Sequence, residues 1–216
     1  MRISILCTDQ THPVFASLVG WASDMNAHGH EVALVTDKSQ LSGGDILFLV
    51  SCSQIIRAAE RGLYRQCLVL HASDLPSGRG WSPHIWAVLN GVNRITVSLL
   101  EAGDSVDSGR IWFKTTFELQ GHELLPEINR QLFEAELMLM TKAVFEFERV
   151  VPQEQIGDPG SYLRRRTPMD SRLDPTRSIL EQFDLLRTVD NKRYPAFFEY
   201  RGHRYILKIE KTDETL

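Results

Sequence analysis

The chain begins with a short, almost unbroken apolar run, Arg2-Ile3-Ser4-Ile5-Leu6-Cys7, and three similar runs follow at Glu31–Val35, Asp45–Val50 and Gln66–Leu70. Short runs rich in Ile, Val and Leu, without strict apolar/polar alternation, read as strands covered on both faces. Between the first two lies His12–His28, where Val14, Leu18, Trp21 and Met25 recur at helical spacing and Gly29 supplies a stop. Ser53–Arg61 separates the third and fourth runs and is expected to be helical. Strands alternating with helices predict an α/β fold, a mostly parallel sheet with helices on both faces.

Further along, a helix is expected around Ser82–Leu89, then two β-rich segments at Arg94–Leu100 and Arg110–Phe117. A long helix from about Glu123 to Arg149 carries apolar residues on more than one face, so it should pack on two sides. Pro152 to Pro168 reads as a linker, because it holds Gly157-Asp158-Pro159-Gly160. Its run Arg164-Arg165-Arg166 reads as a solvated face. Asp174-Pro175 has the form of an N-cap and first-turn proline and predicts a helix to about Val189. Phe197–Arg201 and Arg204–Glu210 flank Gly202-His203 as a hairpin. The expected organisation is a main unit over 1–150, a linker over 151–172 and a small C-terminal α+β subdomain over 173–216.

Composition removes several classes of function. The formal net charge of −4 over 216 residues offers no basic field for nucleic acid or an anionic membrane. Cys7, Cys52 and Cys67 lie in or beside apolar runs with no metal-ligand spacing, so they read as reduced, buried thiols, and no metal site is expected. No apolar run is long enough for a signal peptide or a membrane helix, and a cytoplasmic protein is the simplest expectation. A phosphate loop, a G-x-G-x-x-G after the first strand and a G-x-S-x-G elbow are all missing from the sequence, which counts against ATP, nicotinamide and serine-hydrolase chemistry.

Open α/β sheets bind ligands beyond the carboxyl ends of their strands. Thr8-Asp9, Ser51-Cys52-Ser53 and His71 fall there. His71 opens the run His71-Ala72-Ser73-Asp74-Leu75-Pro76-Ser77-Gly78-Arg79-Gly80, and Asp107-Ser108-Gly109 follows with Asp107 thirty-six positions after His71. An imidazole at a strand end with a carboxylate returning on a later loop suits proton transfer at an acyl carbon. Taken singly, His71 would read as a strand-end loop cap and Asp107 as an ordinary turn aspartate. Arg79-Gly80 reads equally as a tight turn or a diphosphate contact. Trp81, His84 and Trp86 read first as core or rim residues of the following helix.

The order and spacing of His71, Ser73, Leu75-Pro76, Arg79-Gly80, Pro83, Trp86, Asn90-Gly91 and Asp107-Ser108-Gly109 resemble the folate-dependent formyltransferase family. Tyr162-Leu163-Arg164 through Asp174 and Tyr194-Pro195-Ala196-Phe197-Phe198 are similar to that family's linker and the start of its second subdomain. The resemblance implies a shortened Rossmann-like sheet and transfer of a formyl group from 10-formyltetrahydrofolate to an amine. Among shortened members it is nearest the pseudaminic acid pathway type, which implies a UDP-linked 4-amino-4,6-dideoxy sugar as substrate. Methionyl-tRNA or another amine is the alternative acceptor, and a catalytically weakened nucleotide-sugar or folate binder is the alternative from outside the enzymes.

On this resemblance His71 and Asp107 are catalytic. His71 would hydrogen-bond the developing oxyanion or accept the amine proton, and Asp107 would raise its basicity. Ser51, Leu100, Ala102, Gly103 and Asp104 would contact the folate, largely through backbone groups, and Arg79, Trp81 and His84 would contact the substrate. Two features depart from the family. Its Asn, two positions before the His, falls on Val69, and losing such a donor usually costs roughly 2.7–4 kcal/mol of transition-state stabilisation. Ser73, a nearby backbone N–H or a water would have to take over. The chain also reaches its His early, which implies an altered folate cleft. The C-terminal hairpin's apolar faces suit either a homodimer contact or burial within one subunit.

Overall fold

The computed structural model describes residues 1–212; the last four positions of the expected C-terminal unit, 213–216, lie outside the described residues. Six strands form one sheet in the order β2-β1-β3-β4-β5-β6. These are β1 (Arg2–Leu6), β2 (Glu31–Val35), β3 (Gly44–Leu49), β4 (Tyr64–His71), β5 (Arg94–Glu101) and β6 (Ile111–Glu118). β2, β1, β3 and β4 pair in parallel, while β5 and β6 join antiparallel. The apolar runs of β1, β3 and β4 are unbroken because both of their faces are covered.

On one face, α1 (Phe15–Ala27) and α4 (Leu125–Phe145) pack Leu18, Trp21, Met25, Leu132, Leu139 and Met140 against Ile3, Ile5, Phe48, Leu68 and Leu70. The opposite face buries Leu6, Leu47, Leu49, Ile56 and Cys67 and leaves Val35, Leu41, Cys52, Val69 and Ala102 half-buried. That face is covered thinly, by loops and by α2 (Ala58–Arg61), a single turn. α3 (Pro83–Leu89) places Val88 with Ile95, Leu119 and Ile128 in a smaller cluster.

Several sequence expectations are corrected. Ser53–Arg57 is not helical: Ser53 N–H and Gln54 Nε2 donate to Thr8 and Asp37, and Gln54 Oε1 accepts from Lys38 N–H, so the segment spans strand ends as loop. α4 begins at Leu125 because the Glu123 carboxylate accepts from the Gln120 and Gly121 N–H groups and holds the preceding turn. Asp174 does not cap a long helix. Its carboxylate takes Thr176 N–H and Oγ1, its N–H and C=O bind the Gln182 amide, and regular helix appears only as a 3-10 turn at Leu180–Gln182 followed by α5 (Phe183–Arg187). The hairpin is β7 (Ala196–Tyr200) with β8 (His203–Leu207), turning at Arg201-Gly202. Cys52 is half-buried rather than buried.

The segment expected to be a linker lies against the main sheet. Gln153 exchanges both backbone hydrogen bonds with Ile111, and Leu163 bridges Arg79 and Trp81. Arg164 and Arg165 stack on Trp86 and Trp81 with guanidinium-to-ring distances of 5.0 and 4.9 Å, so the arginine run caps aromatic rings instead of only facing water.

Glu136 sits on the inner face of α4 at 8% exposure, and burial pushes its carboxyl up to about 8. A pKa raised by folding gives stability that is full below the unfolded value and is lost as pH rises through the folded one. Glu136→Gln is therefore expected to flatten the decline in melting temperature between about pH 4.5 and 8, the window set by the ordinary glutamate value and the raised one. Thermal unfolding across that range checks it; equal pH slopes in both proteins would contradict it.

Candidate active site

His71 is the last residue of β4, and alternation along the strand sets it on the same face as Val69 and Cys67, away from Leu68 and Leu70. Its ring is held from both sides. Nε2 lies 2.9 Å from the Gly78 carbonyl, which can only accept, so Nε2 is the donor there. Nδ1 lies 3.5 Å from Asp107 Oδ1, and both side chains are only 7% exposed. Charge interactions in such a water-poor setting are far stronger than at an open surface.

Asp107 comes from the loop between β5 and β6. That loop leaves at Ala102, whose N–H bonds the Cys67 carbonyl, and returns at Gly109. Asp107 has φ +54°, a left-handed conformation that costs a non-glycine residue energy and needs surrounding contacts to hold it. One contact is Gly80 N–H, which donates to Asp107 Oδ2 at 3.0 Å. Glycine is required at position 109 by a close approach, because a Cβ there would stand 1.8 Å from the Glu101 carbonyl oxygen. The Asp-x-Gly spacing thus has a steric cause.

The other expected site residues separate into groups. Ser73 Oγ donates to the Ser77 carbonyl at 2.8 Å, and its own carbonyl accepts from Ser98 Oγ, so Ser73 shapes the loop and its one hydroxyl proton is engaged. Arg79 is turned inward, its Nη2 donating to Gln155 Oε1 at 2.8 Å. Trp81 precedes α3 rather than lying on it and is 39% exposed beneath Arg165. His84, on α3, is half-buried: its shielded Nδ1 has no hydrogen-bond partner among the described residues, and burial pushes the imidazole down to about 4, with His71 and His12 adding to the effect. His84 is therefore neutral at ordinary pH.

Ser51 has φ +47° at the end of β3, its hydroxyl 3.3 Å from His12 Nε2 and its carbonyl accepting from Thr8. Leu100 is fully buried in β5, Ala102 is half-buried, and Gly103 and Asp104 are exposed. Arg61 pins this last pair, through the Gly103 carbonyl and an ion pair with Asp104. Thus Ser51, Ala102, Gly103 and Asp104 border the thinly covered face that carries Val69, while Leu100 lies beneath it. A cavity of about 370 Å³ lies elsewhere, between Leu124–Pro126 and Leu186–Asn191, with neither His71 nor Asp107 in its walls.

Sequence reasoning missed Arg61 and Gln155. Neither carries a motif, and each acts on main-chain carbonyls that leave no mark on the side-chain sequence. Burial raises the thiols of Cys7, Cys52 and Cys67, the last to about 12, so none is a ready nucleophile. Among the described residues no cluster of His, Cys, Asp or Glu could hold a metal ion, and no helix is long and apolar enough to cross a membrane.

A methionyl-tRNA formyltransferase of Rickettsia massiliae is 26% identical over 143 residues, covering 66% of this chain and 46% of the relative. The chain spans about half the length of the curated relatives it matches. Among solved structures, a methionyl-tRNA formyltransferase from Clostridium thermocellum superposes with TM-score 0.82 at 23% identity, covering 99% of this chain and 94% of that one. HypX from Aquifex aeolicus in complex with tetrahydrofolic acid gives 0.82 at 20% identity over 97% of this chain and 37% of that one. A 4-N formyltransferase from Francisella tularensis gives 0.71 at 17% identity over 98% of both chains. These structural likenesses establish a shared fold. Residues 7–144, well over half of the sequence and the stretch that contains both His71 and Asp107, match the formyl transferase family, and the chain belongs to it.

Proposed function

We propose that the protein transfers a formyl group from 10-formyltetrahydrofolate to the amine of a nucleotide-linked amino sugar, a UDP-linked 4-amino-4,6-dideoxy sugar being the specific candidate. The observation that carries the reading is the water-poor His71–Asp107 pair at the carboxyl end of β4, beside a half-buried apolar strip. When bound, 10-formyltetrahydrofolate supplies the acyl carbon. Cys52, Val69 and Ala102 offer apolar surface of the kind a flat heterocycle needs, and the loop ends at Ser51 and Gly103-Asp104 offer polar edges.

An amine accepting a formyl group must shed a proton, and the acyl oxygen gains negative charge as it does so. His71 can serve both needs in this setting: its ring would give a proton to the folate nitrogen as that nitrogen's bond to the formyl carbon breaks, and would take in its place the proton the amine sheds. Its Nε2–H, given to the Gly78 carbonyl in this structure, is the donor a developing oxyanion would compete for. Asp107 fixes the ring's plane from the Nδ1 side. With Ser73 committed to Ser77, the donor that replaces the family's Asn at Val69 falls to the backbone or to water.

A net charge of −4 favours a small acceptor over tRNA. The curated relatives favour methionyl-tRNA as the second reading. The test incubates the purified protein and 10-formyltetrahydrofolate with the UDP-linked amino sugar or with methionyl-tRNA and looks for formylated product by mass spectrometry. Formylation of the sugar is expected. Formylation of the tRNA alone would overturn the sugar reading, and no product with several amines would leave a nucleotide-sugar or folate binder.

A further inference from the structure

Gln155 reaches the active-site loop from a segment with no regular structure of its own. Its neighbours Val151 and Ile156 are 74% and 89% exposed, yet Gln155 itself is half-buried. The cause is local. Gln153 bonds backbone to backbone with Ile111 at 2.7 and 2.8 Å, which hangs the segment on the start of β6, and two residues later the side chain comes over the turn at 107–109.

There the Gln155 amide makes three contacts. Nε2 donates to the Asp107 carbonyl at 2.9 Å and to the Gly109 carbonyl at 2.8 Å, while Oε1 accepts from Arg79 Nη2 at 2.8 Å. Only one orientation of the amide is allowed, since carbonyls cannot donate and a guanidinium cannot accept. Arg79 is joined through the chain to Gly80, whose N–H holds the Asp107 carboxylate. The contacts therefore close a ring that fixes the Asp107 main chain and side chain together, at a residue whose φ of +54° would otherwise relax.

We propose that Gln155 is a positioning residue: it sets the distance between Asp107 and His71 by clamping the Asp107 and Gly109 carbonyls and tying them to Arg79. The inference rests on the formyl-transfer reading for its kinetic consequence, but its structural half does not. Gln155→Leu removes all three bonds at similar size. Gln155→Glu keeps an acceptor for Arg79 and turns the one nitrogen that serves both carbonyls into an oxygen that repels them.

Both variants are expected to lower kcat by roughly 10²-fold, the scale of a displacement of about 1 Å in a catalytic group, with KM for either substrate little changed. The same proteins, labelled with ¹⁵N-histidine and compared at one fixed pH, are expected to move the His71 Nδ1 resonance away from its wild-type position, because its carboxylate neighbour has shifted. A residue that merely tethered the segment would lower the melting temperature and leave both the kcat and the His71 resonance unchanged, and that result overturns the proposal. If wild type forms no formylated product, the functional reading fails by itself and the His71 resonance still decides the role of Gln155. Should Gln155→Leu not fold, Gln155→Glu, which keeps the Arg79 contact, gives the same comparison.

Discussion

Replacing His71 by Gln is expected to lower turnover by about 10²–10⁴-fold, the usual span for removing a group that moves a proton in the transition state. Gln is the informative substitute. Its amide nitrogen reaches the place of Nε2 and can still donate toward the Gly78 carbonyl, which His71 reaches at 2.9 Å, so the loop over Ser73–Gly80 keeps an anchor while the imidazole is lost. The melting temperature should move by a few degrees at most, on the basis of about 2–4 °C per kcal/mol for a chain of this size. Turnover within a few-fold of wild type would show that the ring is only a loop cap.

Gly109→Ala is expected to be the most damaging single methyl group on this face. The new Cβ would lie 1.8 Å from the Glu101 carbonyl oxygen, and the obstacle is backbone in β5, not a side chain that can swing aside. Either the end of β5 or the 107–109 turn must move. Overpacking of this kind costs about 1–3 kcal/mol or more, which corresponds to a fall of several degrees in melting temperature. Because Gly109 and Asp107 share the Gln155 clamp, displacement of the turn also carries the carboxylate away from His71. Thermal unfolding and steady-state kinetics on the one variant should therefore both suffer. A stable variant with full turnover would mean that the turn adopts a different path from the one described.

Much of the architecture was legible because it depends on hydrophobic pattern. The runs at Arg2–Cys7, Asp45–Val50 and Gln66–Leu70 could bury both faces only as central strands, with Glu31–Val35 pairing beside the first at the sheet edge, and that places the loops after β1, β3 and β4 at one end of the sheet. The errors fall where side chains compete with the backbone. Ser53 and Gln54 have helix-compatible neighbours but bond across to Thr8, Asp37 and Lys38, and Asp174 carries the signature of an N-cap yet closes a turn around Thr176. Asp, Ser and Thr satisfy nearby N–H groups equally well in either setting, so local sequence does not separate them.

The site was legible in part for a related reason. His71 and Asp107 are named by their spacing, and the structure brings them together at 3.5 Å. Arg79, which the sequence leaves equally as a turn residue or a diphosphate contact, donates to Gln155 here, and Ser73 spends its proton on Ser77. Val69 explains its own type: half-buried between the Leu6–Leu47–Cys67 cluster and Leu75, Leu100 and Ile111, it sits in apolar surroundings. An Asn amide there would need a new partner or would cost about 1–3 kcal/mol.

The central claim is that His71 and Asp107 act as one unit at the formyl carbon. Residues that work as a unit show losses that do not multiply. The measurement is the single-turnover rate of formyl transfer from 10-formyltetrahydrofolate to the UDP-linked amino sugar for wild type, His71→Gln, Asp107→Asn and the double variant. The double variant is predicted to be no slower than the slower single one. Losses that multiply, or a single variant that keeps the wild-type rate, would contradict the account.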